Sequence, residues 1–174
     1  MSDRARLRLS QTYPMRGGLF EATLFFDELT TEVIADGRHL SDELLRLAFK
    51  VKGPDSLALV TDANRAMDMP DGEYIFGNKD EGCTILKQNE VGLMPDGKAL
   101  ASSVAGMDHC VRVMRLATKA PLPQIIRMAS LTPAKIAGFE KTLGSIAPGK
   151  VANLLILDQD LQISRIFLKG SPAE

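Results

Sequence analysis

Residues 31–61, TEVIADGRHLSDELLRLAFKVKGPDSLALVT, decide the fold. Thr31 to Ala35 is a short apolar and β-branched run that Asp36-Gly37 stops, so a buried strand is predicted there. Ser41 is a good helix N-cap, and Asp42 and Glu43 sit where the positive end of a helix dipole favours acids. Leu44, Leu45, Leu47, Ala48 and Val51 then recur at helical spacing and predict one apolar face, and Gly53-Pro54 ends the helix. Leu57-Ala58-Leu59-Val60 is a continuous apolar run, as a parallel strand covered on both faces requires. The order strand, helix, strand is a βα unit feeding a second parallel strand, which places the chain in the α/β class.

Outward from this unit the pattern changes twice. Residues 1–18 read as an N-terminal arm and loop. The stretch MSDRARLRLSQT is polar and basic, with an edge strand as the alternative, and Pro14, Gly17 and Gly18 make residues 13–18 a loop. Organised structure starts at Leu19, and residues 19–142 form the main segment. Within it, Pro70-Asp71-Gly72, Gly77-Asn78, Glu81-Gly82 and Pro95-Asp96-Gly97 punctuate short β-prone runs, predicting an inserted antiparallel hairpin region near 70–98. Helical spacing returns over 107–119, 122–130 and 133–138, with Pro133 suited to a first turn. Met114, Leu116, Ile125, Ile126 and Met128 read as helix core. Residues 143–174 are β again: Gly144-Ser145-Ile146, Leu154 to Leu157 and Ile163 to Leu168.

Composition narrows the function classes. The chain has 174 residues, 45% hydrophobic and 25% charged, the balance of a soluble globular protein. Lys and Arg number 21 against 22 acids, so no basic footprint for nucleic acid or an anionic membrane is present. No apolar run reaches bilayer length. Cys83 and Cys110 stand in unrelated contexts, which predicts free thiols packed in a hairpin and a helix and a reducing, cytoplasmic setting. With only His39 and His109, the chain has few candidates for a complete metal site.

Two polar residues come after the two parallel strands. Asp62 stands directly after the second, and is read either as a general acid or base or as a turn former and helix N-cap. His39 lies beyond the first strand and its turn, and is read either as a site residue or as a surface or packing histidine. In α/β barrels the site lies at this C-terminal end of the strands, so both face one mouth.

Six stretches together resemble the N-acetylglucosamine-6-phosphate deacetylases of the amidohydrolase superfamily. They are Ile34-Ala35-Asp36-Gly37-Arg38-His39-Leu40, Lys52-Gly53-Pro54-Asp55, Leu59-Val60-Thr61-Asp62-Ala63, Met69-Pro70-Asp71-Gly72-Glu73-Tyr74, Met128-Ala129-Ser130-Leu131-Thr132-Pro133-Ala134 and Gly144-Ser145-Ile146-Ala147-Pro148-Gly149-Lys150. The resemblance runs from about residue 14 to about 169. It implies the C-terminal portion of a (β/α)8 metal-dependent hydrolase barrel, its last two strands, plus antiparallel β elements of a small β-sandwich domain. It implies that Asp62 is the catalytic aspartate, which activates a metal-bound water and then protonates the leaving amine. It implies substrate contacts from His39, from the loop residues Ala101, Ser102 and Ser103, and from Arg16. Ser102 stands where the family usually has glycine, and Asn153 where it has aspartate, a change expected to affect a turn hydrogen bond.

The resemblance also implies what this stretch lacks. The family's metal ligands, a glutamate and two histidines, belong to earlier strands. A divalent, zinc-like metal is therefore expected in intact members and none on this chain alone. The expected partner is an amino sugar phosphate, with no nucleic acid and no membrane. Two parallel strands do not close a barrel, and their unpaired edges invite association. The chain is accordingly expected to be inactive alone and to form a homo-oligomer or to join a complementing N-terminal half. The alternatives are a non-catalytic truncated remnant, a self-associating interaction module, or a sugar-phosphate binder without chemistry.

Overall fold

The structure is a computed structural model, and it describes residues 18–78 and 80–173. The expected N-terminal arm, its alternative edge strand and Arg16 lie outside these residues. A short helix α1 (Leu19–Phe25) leads into strand β1 (Thr31–Ile34), helix α2 (Asp42–Ser56) and strand β2 (Leu57–Val60). β1 and β2 pair in parallel with Thr31 opposite Leu57 and Ile34 opposite Val60. Gly53 interrupts α2 at φ 65° and ψ 178°, a conformation open to glycine, so the expected break falls there and Pro54 to Ser56 add one further turn. The Pro54 carbonyl accepts the hydroxyl of the fully buried Thr132 at 2.6 Å, which ties this turn to a later helix.

Strands β3 (Gly72–Phe76), β4 (Cys83–Gln88) and β5 (Val91–Leu93) form an antiparallel sheet in sequence order. Buried Lys87 anchors its inner side by donating to the Met69 carbonyl at 2.7 Å, with Glu90 at 3.2 Å. Helices α3 (Met107–Thr118), α4 (Leu122–Ala129) and α5 (Leu131–Ile136) come next. Pro133 falls in the first turn of α5, where its missing amide removes no helical hydrogen bond. Strands β6 (Leu154–Leu157), β7 (Ile163–Leu168) and β8 (Ser171–Pro172) make a third, antiparallel sheet.

The core joins Val33, Leu57 and Leu59 of the parallel pair to Leu45 of α2, Met114 of α3, and Ile125 and Met128 of α4. Each such side chain contributes roughly 1.5–3 kcal/mol by leaving water. It is this packing that holds the C-terminal ends of β1 and β2 in fixed register.

Four expectations are corrected. The buried face of α2 is Leu45, Ala48 and Lys52, whereas Leu44, Leu47 and Val51 are 40–43% exposed. These three occupy a neighbouring, partly exposed stripe, while the Lys52 stem is buried because its ammonium reaches the Phe26 carbonyl at 2.7 Å. Leu116 is 66% exposed on the outer side of α3, away from Met114. Cys83 is exposed rather than packed. Gly144-Ser145-Ile146 forms no strand, because the Lys150 ammonium gathers the Glu140 and Leu143 carbonyls and the Ser145 hydroxyl into a turn instead of leaving them for a ladder. Asn153 does serve a turn, accepting the Lys169 amide at 2.9 Å.

The distinction between the two stripes of the βαβ unit is measurable. Leu59→Ala should cost about 2–5 kcal/mol in urea unfolding, whereas Leu47→Ala should stay within about 0.5 kcal/mol of wild type. Equal losses would contradict this account of α2.

Candidate functional site

Asp36 and Asp62 each lie two residues beyond the last β1–β2 pair, Ile34 and Val60. The parallel register therefore sets both aspartates at the same sheet end. Residues 101–105 cross this end. The Ser103 amide donates to the Asp62 carbonyl at 2.9 Å, the Asn64 amide donates to the Ser103 carbonyl at 2.8 Å, and the Ser102 hydroxyl also donates to the Asp62 carbonyl. Ala63 and Ser103 form an isolated parallel bridge. The hairpin sheet supports this loop from behind. The Ala101 amide donates to the Gly92 carbonyl at 2.9 Å, and the Ala101 carbonyl accepts Asn64 Nδ2 at 2.7 Å. A Cβ on Gly92 would stand 3.0 Å from the Ala101 carbonyl oxygen, so glycine permits this approach of β5 to the loop.

Asp62 adopts φ 49°, in the left-handed region that short polar side chains tolerate better than most. Its backbone carbonyl is fully engaged, but its exposed carboxylate takes no hydrogen bond among the described residues. No helix starts at Asp62, so the capping alternative has no helix to serve. The carboxylate is left open to exchange a proton with a water or an amine.

His39 is held by Asp36. The Asp36 Oδ1 accepts the Arg38 amide at 2.9 Å and the His39 amide at 3.0 Å, and Asp36 Oδ2 accepts His39 Nδ1 at 2.9 Å. The His39 side chain retains 22% of its exposure against 4% for Asp36. Burial would raise the Asp36 carboxyl, but the His39 and Arg38 amides, the His39 ring and the Ser103 hydroxyl outweigh it and hold it below the usual carboxylate value. His109, in the first turn of α3, donates Nε2 to the Asp36 carbonyl at 3.2 Å. Asp36 thus collects β1, His39, the 101–105 loop and α3. The sequence pattern marks it only as a strand stop. The signal that points further is its spacing to His39, since an aspartate that accepts amides two and three residues on makes a local turn.

Ser103 is buried and its hydroxyl also accepts the Ala105 amide at 3.1 Å. Ser102 adopts φ 63°, in the left-handed region that favours glycine. A cleft of about 480 Å³ is lined by Asp36, Arg38, Ser103, Asp108, His109 and Arg112, and neither Asp62 nor His39 lines it. Within it Asp108 and Arg112 pair at 2.9 Å. A separate apolar groove of about 680 Å³ between α4 and β6, lined by Ile126, Leu131, Ile146 and Leu155, shares no residue with it.

The donor set does not fit a metal. Among the described residues no group of three or more His, Cys, Asp or Glu could hold one. The Asp36 oxygens, His39 Nδ1 and His109 Nε2 are already committed to one another or to the backbone. Burial and then the Asp36 charge push the Cys110 thiol up to about 11, leaving it protonated and inert at neutral pH.

The amidohydrolase family profile matches residues 10–173. N-acetylglucosamine-6-phosphate deacetylase of Bacillus subtilis (strain 168) is 34% identical over 90% of this chain, which corresponds to 38% of the relative. The Pasteurella multocida N-acetylglucosamine-6-phosphate deacetylase structure superposes with a TM-score of 0.82 at 30% identity, covering 95% of this chain and 41% of that one. This chain therefore spans about two fifths of the length of these relatives. A much shorter Escherichia coli (strain K12) relative, provisionally named as an N-acetylgalactosamine-6-phosphate deacetylase, is 33% identical with 90% of both chains covered.

The site has two stability signatures. Ser102→Ala keeps the left-handed strain and loses the hydroxyl bond, so it should unfold about 1 kcal/mol more easily than Ser102→Gly in thermal or urea melts. The Asp36 carboxyl lies lower in the folded than in the unfolded chain. Its stabilisation is therefore complete above the ordinary carboxylate value and is lost as pH falls through the lower folded value. Asp36→Asn should flatten the acid limb of a stability-versus-pH curve, whereas an unchanged limb would contradict the network.

Proposed function

The chain belongs to the amidohydrolase family, and from that premise we propose that it supplies the base and part of the substrate pocket of an acetamido sugar phosphate deacetylase. The reaction is hydrolysis of the N-acetyl group of N-acetylglucosamine 6-phosphate or its galactosamine counterpart, with release of acetate. One observation carries this reading: a free carboxylate at Asp62 and a buttressed His39 stand at the same end of two parallel strands, with the Ser102–Ser103 loop between them. In this reading β1 and β2 are the last two strands of a (β/α)8 barrel and residues 143–174 belong to a small β domain. Residues 19–142 are the partial barrel segment with its 70–98 insertion, and residues 1–18 are an arm.

Asp62 takes a proton from the attacking water and returns it to the leaving amine, two steps that one carboxylate can perform in sequence. His39, Ala101, Ser102, Ser103 and Arg16 hold the sugar phosphate. Amidohydrolases are generally metal-dependent. In this reading the ligands of the zinc-like metal come from outside this chain, and the isolated chain is inactive. A cytoplasmic setting suits such a substrate. No helix among the described residues is long and apolar enough to cross a membrane.

A second reading is a non-catalytic, self-associating module. It is favoured by apolar side chains left exposed on three elements, Phe25 of α1, Leu47 of α2 and Leu155 of β6. Parallel strands with open edges are otherwise found covered.

Acetate release from N-acetylglucosamine 6-phosphate separates these readings. The purified chain should show no turnover with or without zinc, and should gain it when a complementing N-terminal half is added. Asp62→Asn should then lower the rate by about 10²–10⁴-fold. Zinc-dependent turnover by the chain alone would overturn the half-site reading, and a full rate in Asp62→Asn would overturn the assignment of the base. Light scattering should show association, and a monomer that persists unchanged across concentration would count against the second reading.

A further inference from the structure

Asp36 is buried, ionised and saturated with donors, and one of those donors is an imidazole. An ionised carboxylate only accepts hydrogen bonds, so the 2.9 Å contact between Asp36 Oδ2 and His39 Nδ1 requires the proton to sit on Nδ1. The other ring nitrogen, Nε2, has no partner among the described residues. Because the His39 amide is bound to the same carboxylate at 3.0 Å, backbone and ring are fixed to one anchor and the ring cannot turn over without breaking the contact. We propose that Asp36 is a positioning residue that locks His39 in the Nδ1–H tautomer, so that Nε2 is presented to the mouth as an acceptor for a ligand hydroxyl or amide N–H. The ligand half of this inference rests on the deacetylase reading of the mouth, whereas the tautomer half rests on geometry alone.

The alternative tautomer is the one that free imidazole would offer to a carbonyl. It would place two lone pairs, Nδ1 and Oδ2, against each other at hydrogen-bond distance beside a mostly buried charge, a costly arrangement. The loop contributes to the lock, because the Ser103 hydroxyl faces the same carboxylate. His109 provides an internal contrast. Its Nε2 lies against a carbonyl, which also only accepts, so that ring carries its proton on Nε2. The two histidines of this chain are therefore held in opposite tautomers by the two ends of one residue, side chain and backbone of Asp36.

Asp36→Asn inverts the lock rather than merely removing it. The Asn carbonyl oxygen must stay with the Arg38 and His39 amides, which turns its NH₂ group toward His39 Nδ1 and makes that nitrogen the acceptor. Long-range ¹H–¹⁵N correlation spectra of the labelled chain, at a pH where both rings are neutral, read this directly. His109→Gln assigns the signals. The expected result is Nδ1–H for His39 and Nε2–H for His109 in wild type, with His39 converting to Nε2–H in folded Asp36→Asn. Nε2–H at His39 in wild type, or retention of Nδ1–H in folded Asp36→Asn, would overturn the lock. If the variant does not fold, the wild-type tautomer decides alone. Titration with N-acetylglucosamine 6-phosphate should shift the His39 Nε2 resonance while Nδ1 stays protonated. No shift would overturn the acceptor role, and this outcome is independent of acetate release because no turnover is required.

Discussion

A buried carboxylate at the end of a strand is tolerable only if its charge is answered, and at Asp36 the answer organises the site. Left without partners in a low-dielectric interior, the group would take up a proton or force the strand end open. Instead two backbone amides, an imidazole and a serine hydroxyl converge on it. Satisfying one charge therefore fixes the turn after β1, the ring of His39 and the position of the 101–105 loop together. The carbonyl of the same residue takes His109 and so brings in the start of α3. Removing the carboxylate would loosen all of these groups at once.

The second constraint is register. Parallel pairing of β1 with β2 makes the two strand ends equivalent, so the residue two places beyond each is delivered to one side of the sheet. One of these, Asp36, is consumed by structure. The other, Asp62, has its backbone tied down by Ser102 and Ser103 and its carboxylate left out of the network. This asymmetry divides the work between two chemically identical side chains. The buried aspartate is bonded on every side, while the exposed one keeps its carboxylate clear of hydrogen bonds among the described residues.

Much of this is readable in the residues. The apolar runs at 31–35 and 57–60 and the turn residues around 70–98 each have a local physical cause, and each element forms where that cause lies, while Ser41 takes the N-cap position of α2 without a side-chain capping bond. Asp62 and His39 can be picked out because they come after strands. What the pattern does not show is partnership across long sequence separations. Leu44, Leu45, Leu47, Ala48 and Val51 all look alike in a helical periodicity. Only the placement of α3 and α4 decides that Leu45 and Ala48 are covered. Lys52 joins the buried face through a carbonyl 26 residues away, and Gly144 to Ile146 are kept from strand formation by one lysine, Lys150. Asp36 is hidden for a different reason. Asp-Gly is a strong turn signal, and that local reading is correct, but it masks the burial that gives the same carboxylate its larger role.

The loop of residues 101–105 shows how the local network and the incomplete sheet are connected. Beyond Val60 the β2 strand has no third strand beside it among the described residues, and Ser103 instead makes a single parallel bridge to Ala63. That bridge covers the open edge only at its C-terminal end, where Asp62 sits. The loop can hold this position because the hairpin sheet grips Ala101 from one side through Gly92 while Asp36 and Asp62 grip Ser103 from the other. The end of the sheet that carries Asp36 and Asp62 is thus closed by the chain itself. Among the described residues no strand pairs with the outer edge of β1, and the apolar stripe on α2 stays partly exposed. Here the loop, the two strand ends and α3 satisfy one another, so this end of the sheet is shaped by contacts within the described residues.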